Sequence, residues 1–125
     1  MAALLAFCCG TLLPSRAQAF FFGGVTLKDE KEMGRRFDAM VRSRMPVIDD
    51  PEVSQYVNGI VQRLVRAMPP QPFTFTTGTV LYNALNAFAV PGGYVYVFSG
   101  LIMQLNNESE LAGVMAHELA HVTQR

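Results

Sequence analysis

The run His117-Glu118-Leu119-Ala120-His121 constrains the fold of this 125-residue chain more than any other stretch. Its two histidines are the only ones in the sequence. A spacing of four places them one above the other on one face of a helix, so both imidazoles can point at a single ion. Glu118 lies one residue on, about 100° around the helix. It can reach a water activated at that ion without being forced to coordinate it, which suits a general base. Zinc held by three protein ligands keeps a fourth position for water and lowers its pKa to about 7. Glu118 is then expected to take the proton and pass it to a leaving amine, which amounts to peptide hydrolysis without a covalent intermediate. The competing reading, two histidines that fall by chance on an otherwise apolar helix as satisfied core residues or at a partly exposed edge, leaves unexplained why both histidines of the chain fall into one pattern.

Two histidines do not complete such a site. The metzincin continuation requires glycine three residues after His121 and histidine six after it. Gln124 occupies the first position, and the chain ends at Arg125 before the second. The remaining common solution is a carboxylate from a later helix. Glu108 and Glu110 stand two or more turns upstream and read as capping acids. The expectation is therefore an N-terminal part of a zinc metallopeptidase domain over residues 20–125, with the third ligand beyond the chain.

Half of the residues are hydrophobic and 16% are charged, enough apolar material for a real core. Ten basic and ten acidic side chains cancel and are dispersed, which argues against nucleic acid as a partner. Residues 1–19 differ from the rest: Ala2 to Leu13 is almost continuously apolar, and Ala17-Gln18-Ala19 has the small-x-small form of a cleavage site. This reads as a signal peptide, although Met1-Ala2-Ala3 lacks the usual basic residue. The apolar run is too short to cross a bilayer and no later stretch is long enough, so an exported protein without an integral membrane span is expected, periplasmic or otherwise extracytoplasmic. Both cysteines, Cys8 and Cys9, fall in this leader, which removes thiol chemistry from the mature protein. A lipid anchor on either is disfavoured, because Phe7 or Cys8 would precede it where a small residue is expected.

Thr26 followed by Asp29 reads as a helix cap. Met33, Phe37, Val41 and Met45 then form an apolar core stripe ending before Pro46. Asp50-Pro51-Glu52 starts a second helix whose inner face is Val53, Val57, Ile60, Val61, Leu64 and Met68, ending at Pro69-Pro70. Phe73 to Thr77 alternates as a strand does, and Asn86 to Val90, Pro91-Gly92-Gly93 and Tyr94 to Phe98 read as a hairpin. A short helical segment follows around Leu101 to Leu105. The final helix is capped at Asn107, and its Ala112, Gly113, Ala116 and Ala120 suggest burial against a sheet or another helix. Tyr94, Val95, Tyr96 and Val97 have two readings, an exposed sheet edge that holds an extended peptide or an ordinary buried strand.

The run NAFAVPGGYVYVFSGLIMQLNNESELAGVMAHELAHVTQR, Asn86 to Arg125, covers about a third of the chain. It closely resembles metallopeptidase family 48, which includes CAAX prenyl proteases, heat-shock membrane proteases and periplasmic outer-membrane-quality proteases. The resemblance implies a zincin-like α+β domain, zinc on the positions of His117 and His121, Glu118 in catalysis, and a downstream glutamate ligand. It also implies protein substrates, with a role in envelope protein quality control and association with the membrane or with envelope proteins. An inactive metal-binding chaperone or assembly module that holds extended clients is the alternative, and a non-functional gene fragment is a third reading.

Overall fold

The computed structural model describes residues 24–124, and the leader read at 1–19 lies outside them. Four helices and three strands follow in order among the described residues: α1 (Leu27–Arg44), α2 (Pro51–Arg66), β1 (Thr76–Val80), β2 (Ala87–Val90), β3 (Tyr94–Phe98), α3 (Ser99–Gln104) and α4 (Glu108–Thr123). The fold is mixed α and β around one small sheet, and none of these helices is long and apolar enough to cross a membrane.

Local chemistry sets the helix starts. The Thr26 hydroxyl accepts from the Asp29 amide at 3.2 Å while the Asp29 carboxylate accepts from the Thr26 amide at 3.0 Å, a reciprocal capping box. Asp50 accepts from the amides of Glu52 and Val53 at 2.8 and 3.2 Å, with Pro51 at the first helical position, where its missing N–H costs nothing. The helix α1 stops at Arg44 because the chain must turn extended ahead of Pro46. The helix α2 stops at Arg66, short of the expected proline pair.

The sheet is organised around β3, which pairs in parallel with β1 and antiparallel with β2, giving the order β1-β3-β2. Alternation along the strands divides the core in two. Val95 and Val97, with Ala87, face α2, α3 and α4, where Val57, Ile60, Val61, Leu101, Leu111, Met115 and Leu119 are buried. Tyr96 and Phe98, with Val80, face Val41 of α1. Helices thus cover both sides of the sheet.

The expected hairpin forms, with Val90 opposite Tyr94, and Gly92 and Gly93 at φ of 95° and 90°. Three expectations are corrected. The first strand begins at Thr76 and not at Phe73, because its partner β3 begins at Tyr94, the residue opposite Thr76. Phe73 and Phe75 are buried as the alternation implied and pack edge to face at 5.3 Å, ahead of the ladder that runs from Thr76 to Val80. Met33 is 42% exposed instead of core. The face that α1 turns inward carries Gly34, and a Cβ there would sit 2.7 Å from the Pro91 carbonyl oxygen and 2.9 Å from the Tyr94 ring. The hairpin turn therefore docks on the glycine and leaves Met33 to one side. Third, α4 is not buried all round, as described below.

The Tyr96 hydroxyl, on the central strand, donates to the Asp38 carboxylate, which also pairs with Arg42 at 3.1 Å. Burial first, and the Asp38 hydrogen bond second, push the Tyr96 phenol well above its ordinary range.

Two measurements check this packing. Gly34→Ala should destabilise the protein by about 1–3 kcal/mol through the forced clash, whereas Gly59→Ala, where a new Cβ meets nothing within 4 Å, should stabilise it by roughly 0.5–1 kcal/mol from helix propensity. Urea denaturation curves moving in the same direction would contradict the docking. Because the folded-state pKa of Tyr96 lies above its unfolded value of about 10, the stability it contributes is intact below that pH and is lost as pH rises above it. Wild type should therefore lose stability faster than Tyr96→Phe above pH about 10, and parallel curves would remove Tyr96 from this role.

Candidate metal centre

Helix α4 is anchored at its start. The Asn107 side chain accepts from the Glu110 amide at 3.0 Å, and the Glu110 carboxylate accepts from the Asn106 amide at 2.9 Å. Glu108 forms an ion pair with Arg63 of α2. Both acids are thus engaged as caps and pairs at the helix N-terminus, roughly 10 Å or more along the axis from His117 at 1.5 Å per residue.

The sequence of α4 separates two stripes. Leu111, Met115 and Leu119 recur every four residues and are buried against α2 and the sheet. Full burial of three such side chains contributes roughly 5–9 kcal/mol. The exposed Arg63–Glu108 pair contributes about 0–1 kcal/mol, so burial sets how the helix lies. On the other side Gly113, His117 and His121 also recur every four residues, and all three are exposed. The small residues of α4 therefore do not mark a helix enclosed on every side, because one of them belongs to an open face. Their exposure sets aside satisfied core histidines and leaves a partly exposed edge as the competing reading. Glu118 sits at the flank between the stripes and is 7% exposed.

The Nε2 atoms of His117 and His121 face each other at 3.0 Å, with ring centroids 4.6 Å apart and planes at 89°. Two imidazole nitrogens bound to one tetrahedral zinc at about 2.0–2.1 Å would stand about 3.3 Å apart. The observed arrangement fits such an ion within a few tenths of an ångström. The same separation is a hydrogen-bond distance, so in metal-free protein one ring would donate and the other accept, as the tautomers dictate. Among the described residues no third His, Cys, Asp or Glu joins the pair. A cleft of about 440 Å³ lined by Lys31, Arg35, Thr74 and Tyr94 shares no residue with α4, so the candidate centre is an open helix face and not this cavity.

The same helix packs against β2, whose outer edge pairs with no other strand among the described residues. The Asn86 carbonyl accepts from the Phe98 amide at 2.9 Å. Directly opposed antiparallel pairs alternate between bonded and non-bonded, so Phe88 and Val90 turn their main-chain groups toward β3. Those of Ala87 and Ala89 point away, to the open edge. Tyr94, Val95, Tyr96 and Val97 lie on the central strand, with ladders on both sides. They are buried or half-buried rather than at an edge, and the edge beside α4 belongs to Ala87 and Ala89. Sequence reasoning missed these two alanines because the parallel pairing that makes β3 central joins residues far apart in the chain. The far edge of the sheet is partly covered, since the Ile48 amide donates to the Thr79 carbonyl and the Leu81 amide to the Pro46 carbonyl at 2.8 and 2.7 Å.

Comparison with known proteins gives a family match and close relatives. Residues 49–125 match the model of peptidase family M48. The chain is 43% identical over 104 residues to a putative beta-barrel assembly-enhancing protease of Vibrio cholerae, covering 82% of this chain and 22% of that protein. It is 39% identical over 101 residues to the beta-barrel assembly-enhancing protease of Escherichia coli, covering 81% and 21%. It is 32% identical over 108 residues to the mitochondrial metalloendopeptidase OMA1 of Schizosaccharomyces pombe, covering 83% and 32%. The chain thus spans about a fifth of the length of the two bacterial relatives.

If the two imidazoles share one ion, His117→Ala or His121→Ala should each weaken zinc binding by more than about 100-fold, beyond the loss typical of an outer partner. Gly113→Ala, on the same face with nothing within 4 Å of the new Cβ, should leave it unchanged. A competitive zinc titration of the full-length protein checks this, and retention of tight binding by either histidine variant would contradict a shared ion.

Proposed function

This chain belongs to peptidase family M48, and from that premise we propose that it carries the zinc-binding and proton-transferring part of an extracytoplasmic zinc endopeptidase with a zincin-like fold. The observation that carries this reading is the convergence of His117 and His121 Nε2 on the exposed face of a helix packed beside an open strand edge. When bound, zinc supplies Lewis-acid activation of water and of the scissile carbonyl. His117 and His121 would hold it through Nε2.

Glu118 is the general base. Its carboxylate oxygen takes the proton of the attacking water and delivers it to the nitrogen of the leaving amine, so the residue ends each cycle as it began. Fixing it on a helix that is itself anchored by Leu119 and Met115 limits its freedom, which is what positioning contributes to rate. The substrate lies extended along β2, its main chain bonded to the N–H and C=O groups of Ala87 and Ala89, as a peptide added to a sheet edge. Tyr94 to Val97 act from behind, by holding β2 in place. The leader read at residues 1–19 would deliver the protein to an extracytoplasmic compartment. The names of the bacterial relatives support misassembled envelope proteins as its clients.

A metal-binding module that holds extended clients without cutting them uses the same edge and the same histidines, and differs only in what Glu118 does. Glu118→Gln separates the two. In the full-length protein the variant should keep its zinc and lose about 10²–10⁴-fold in casein cleavage. Equal cleavage by variant and wild type, or no cleavage by a zinc-loaded wild type, would overturn the peptidase reading.

A further inference from the structure

The cleft of about 440 Å³ that lies apart from α4 has one basic wall and one neutral wall. The basic wall belongs to α1, where Lys31 and Arg35 stand four residues apart and so leave the helix on one face. Gly34 lies on that face too, one turn after Lys31. Without a side chain there, the Tyr94 ring and the Pro91 carbonyl reach the helix backbone: a Cβ on Gly34 would stand 2.9 and 2.7 Å from them. Docking of the hairpin thus brings Tyr94 and Gly92 into the cleft beside the two cations. The neutral wall is the segment leading into β1, where Gln71, Thr74 and Thr76 supply an amide and two hydroxyls. No acidic residue lines the cleft, and residues 67–107 contain no Asp or Glu to bring there. Lys31 forms no ion pair among the described residues. Arg35 donates to Glu32 at 2.6 Å, but Glu32 also accepts from Arg36 at 3.1 Å. One carboxylate therefore faces two guanidinium groups, and Arg35 keeps most of its N–H donors.

Single surface cations are ordinary. Two of them without a matching carboxylate, set in one cleft with hydroxyls and an amide, form a donor-rich group that recognises an oxyanion. The arginine fork fits two oxygens of one group, the lysine ammonium adds a compact charge, and the hydroxyls supply donors for a further oxygen. A carboxylate offers two oxygens and a phosphate monoester three, so this set matches phosphate better. The cleft is also larger than a bare oxyanion, which leaves room for an organic body against the Tyr94 ring. We propose that the cleft binds an organic phosphate, whose phosphoryl oxygens accept from Lys31, Arg35, Thr74 and Thr76 while Tyr94 lies against its carbon skeleton. A soluble phosphate ester and a phospholipid headgroup present the same chemistry. The dispersed charges of the sequence conceal the site because its two walls come from segments far apart in the chain. It shares no residue with α4 or β2, so it stands or falls independently of the peptidase reading.

The test is calorimetric titration of the full-length protein with glycerol 3-phosphate, with sodium acetate as the comparison anion. Glycerol 3-phosphate should bind saturably and more tightly than acetate. Lys31→Ala combined with Arg35→Ala should weaken it by about tenfold or more. Lys28→Ala combined with Arg44→Ala removes the same charge from α1 outside the cleft and should change affinity less than about twofold. Thr74→Val combined with Thr76→Val should weaken binding several-fold with no change of charge, and cooperative unfolding curves confirm that each variant is folded. Absence of saturable binding, equal affinity for acetate, or affinity that survives the Lys31 and Arg35 substitutions overturns the proposal. Equal weakening by the Lys28 and Arg44 substitutions overturns it too, in favour of diffuse charge. Flotation with phosphatidylethanolamine–phosphatidylglycerol vesicles identifies the source. Flotation that glycerol 3-phosphate competes away and that needs Lys31 and Arg35 supports the site with a lipid headgroup as its ligand, and saturable binding without flotation supports it with a soluble ester.

Discussion

Everything in this protein is arranged around the two-sided burial of β3. Its main-chain groups are used on both edges, by β1 and β2, and its side chains are used on both faces, by α1 on one and by α2, α3 and α4 on the other. A strand so placed cannot slip by one residue without exchanging Val95 and Val97 for Tyr94, Tyr96 and Phe98. The register fixes where β2 ends up, and β2 in turn offers the surface on which α4 lies.

The chemistry at the exposed side of α4 follows from what its other side buries. Leu111, Met115 and Leu119 can enter the core together only if Gly113, His117 and His121 point outward. Since the burial term exceeds the ion pair at the helix start several-fold, the direction of the imidazoles is decided by apolar packing and not by local charge. The same packing sets the helix against β2, the strand at one edge of the sheet. Small side chains on both elements permit that approach.

How much of this was legible in the sequence depends on the range of the interaction concerned. Thr26 with Asp29, Asp50 with Pro51, and Asn107 with Glu110 act within a turn, and each cap was readable from residue type and spacing alone. Pro91-Gly92-Gly93 announced its hairpin because only glycine takes the positive φ found there without strain. The histidine pair was equally local. What failed was non-local. The parallel pairing of Thr76 with Tyr94 decided where β1 begins and turned Tyr94 to Val97 from a candidate edge into a centre. The docking of the hairpin turn on Gly34 decided that Met33 stays outside the core. Neither contact leaves a signature in the spacing of apolar residues.

The most direct test of the central claim is a crystal structure of the full-length Glu118→Gln protein, loaded with zinc and soaked with an extended peptide. The peptidase reading predicts one ion within about 2.1 Å of Nε2 of both His117 and His121, and a peptide main chain bonded to the N–H and C=O groups of Ala87 and Ala89. An ion held elsewhere, or a peptide bound away from β2, would contradict it.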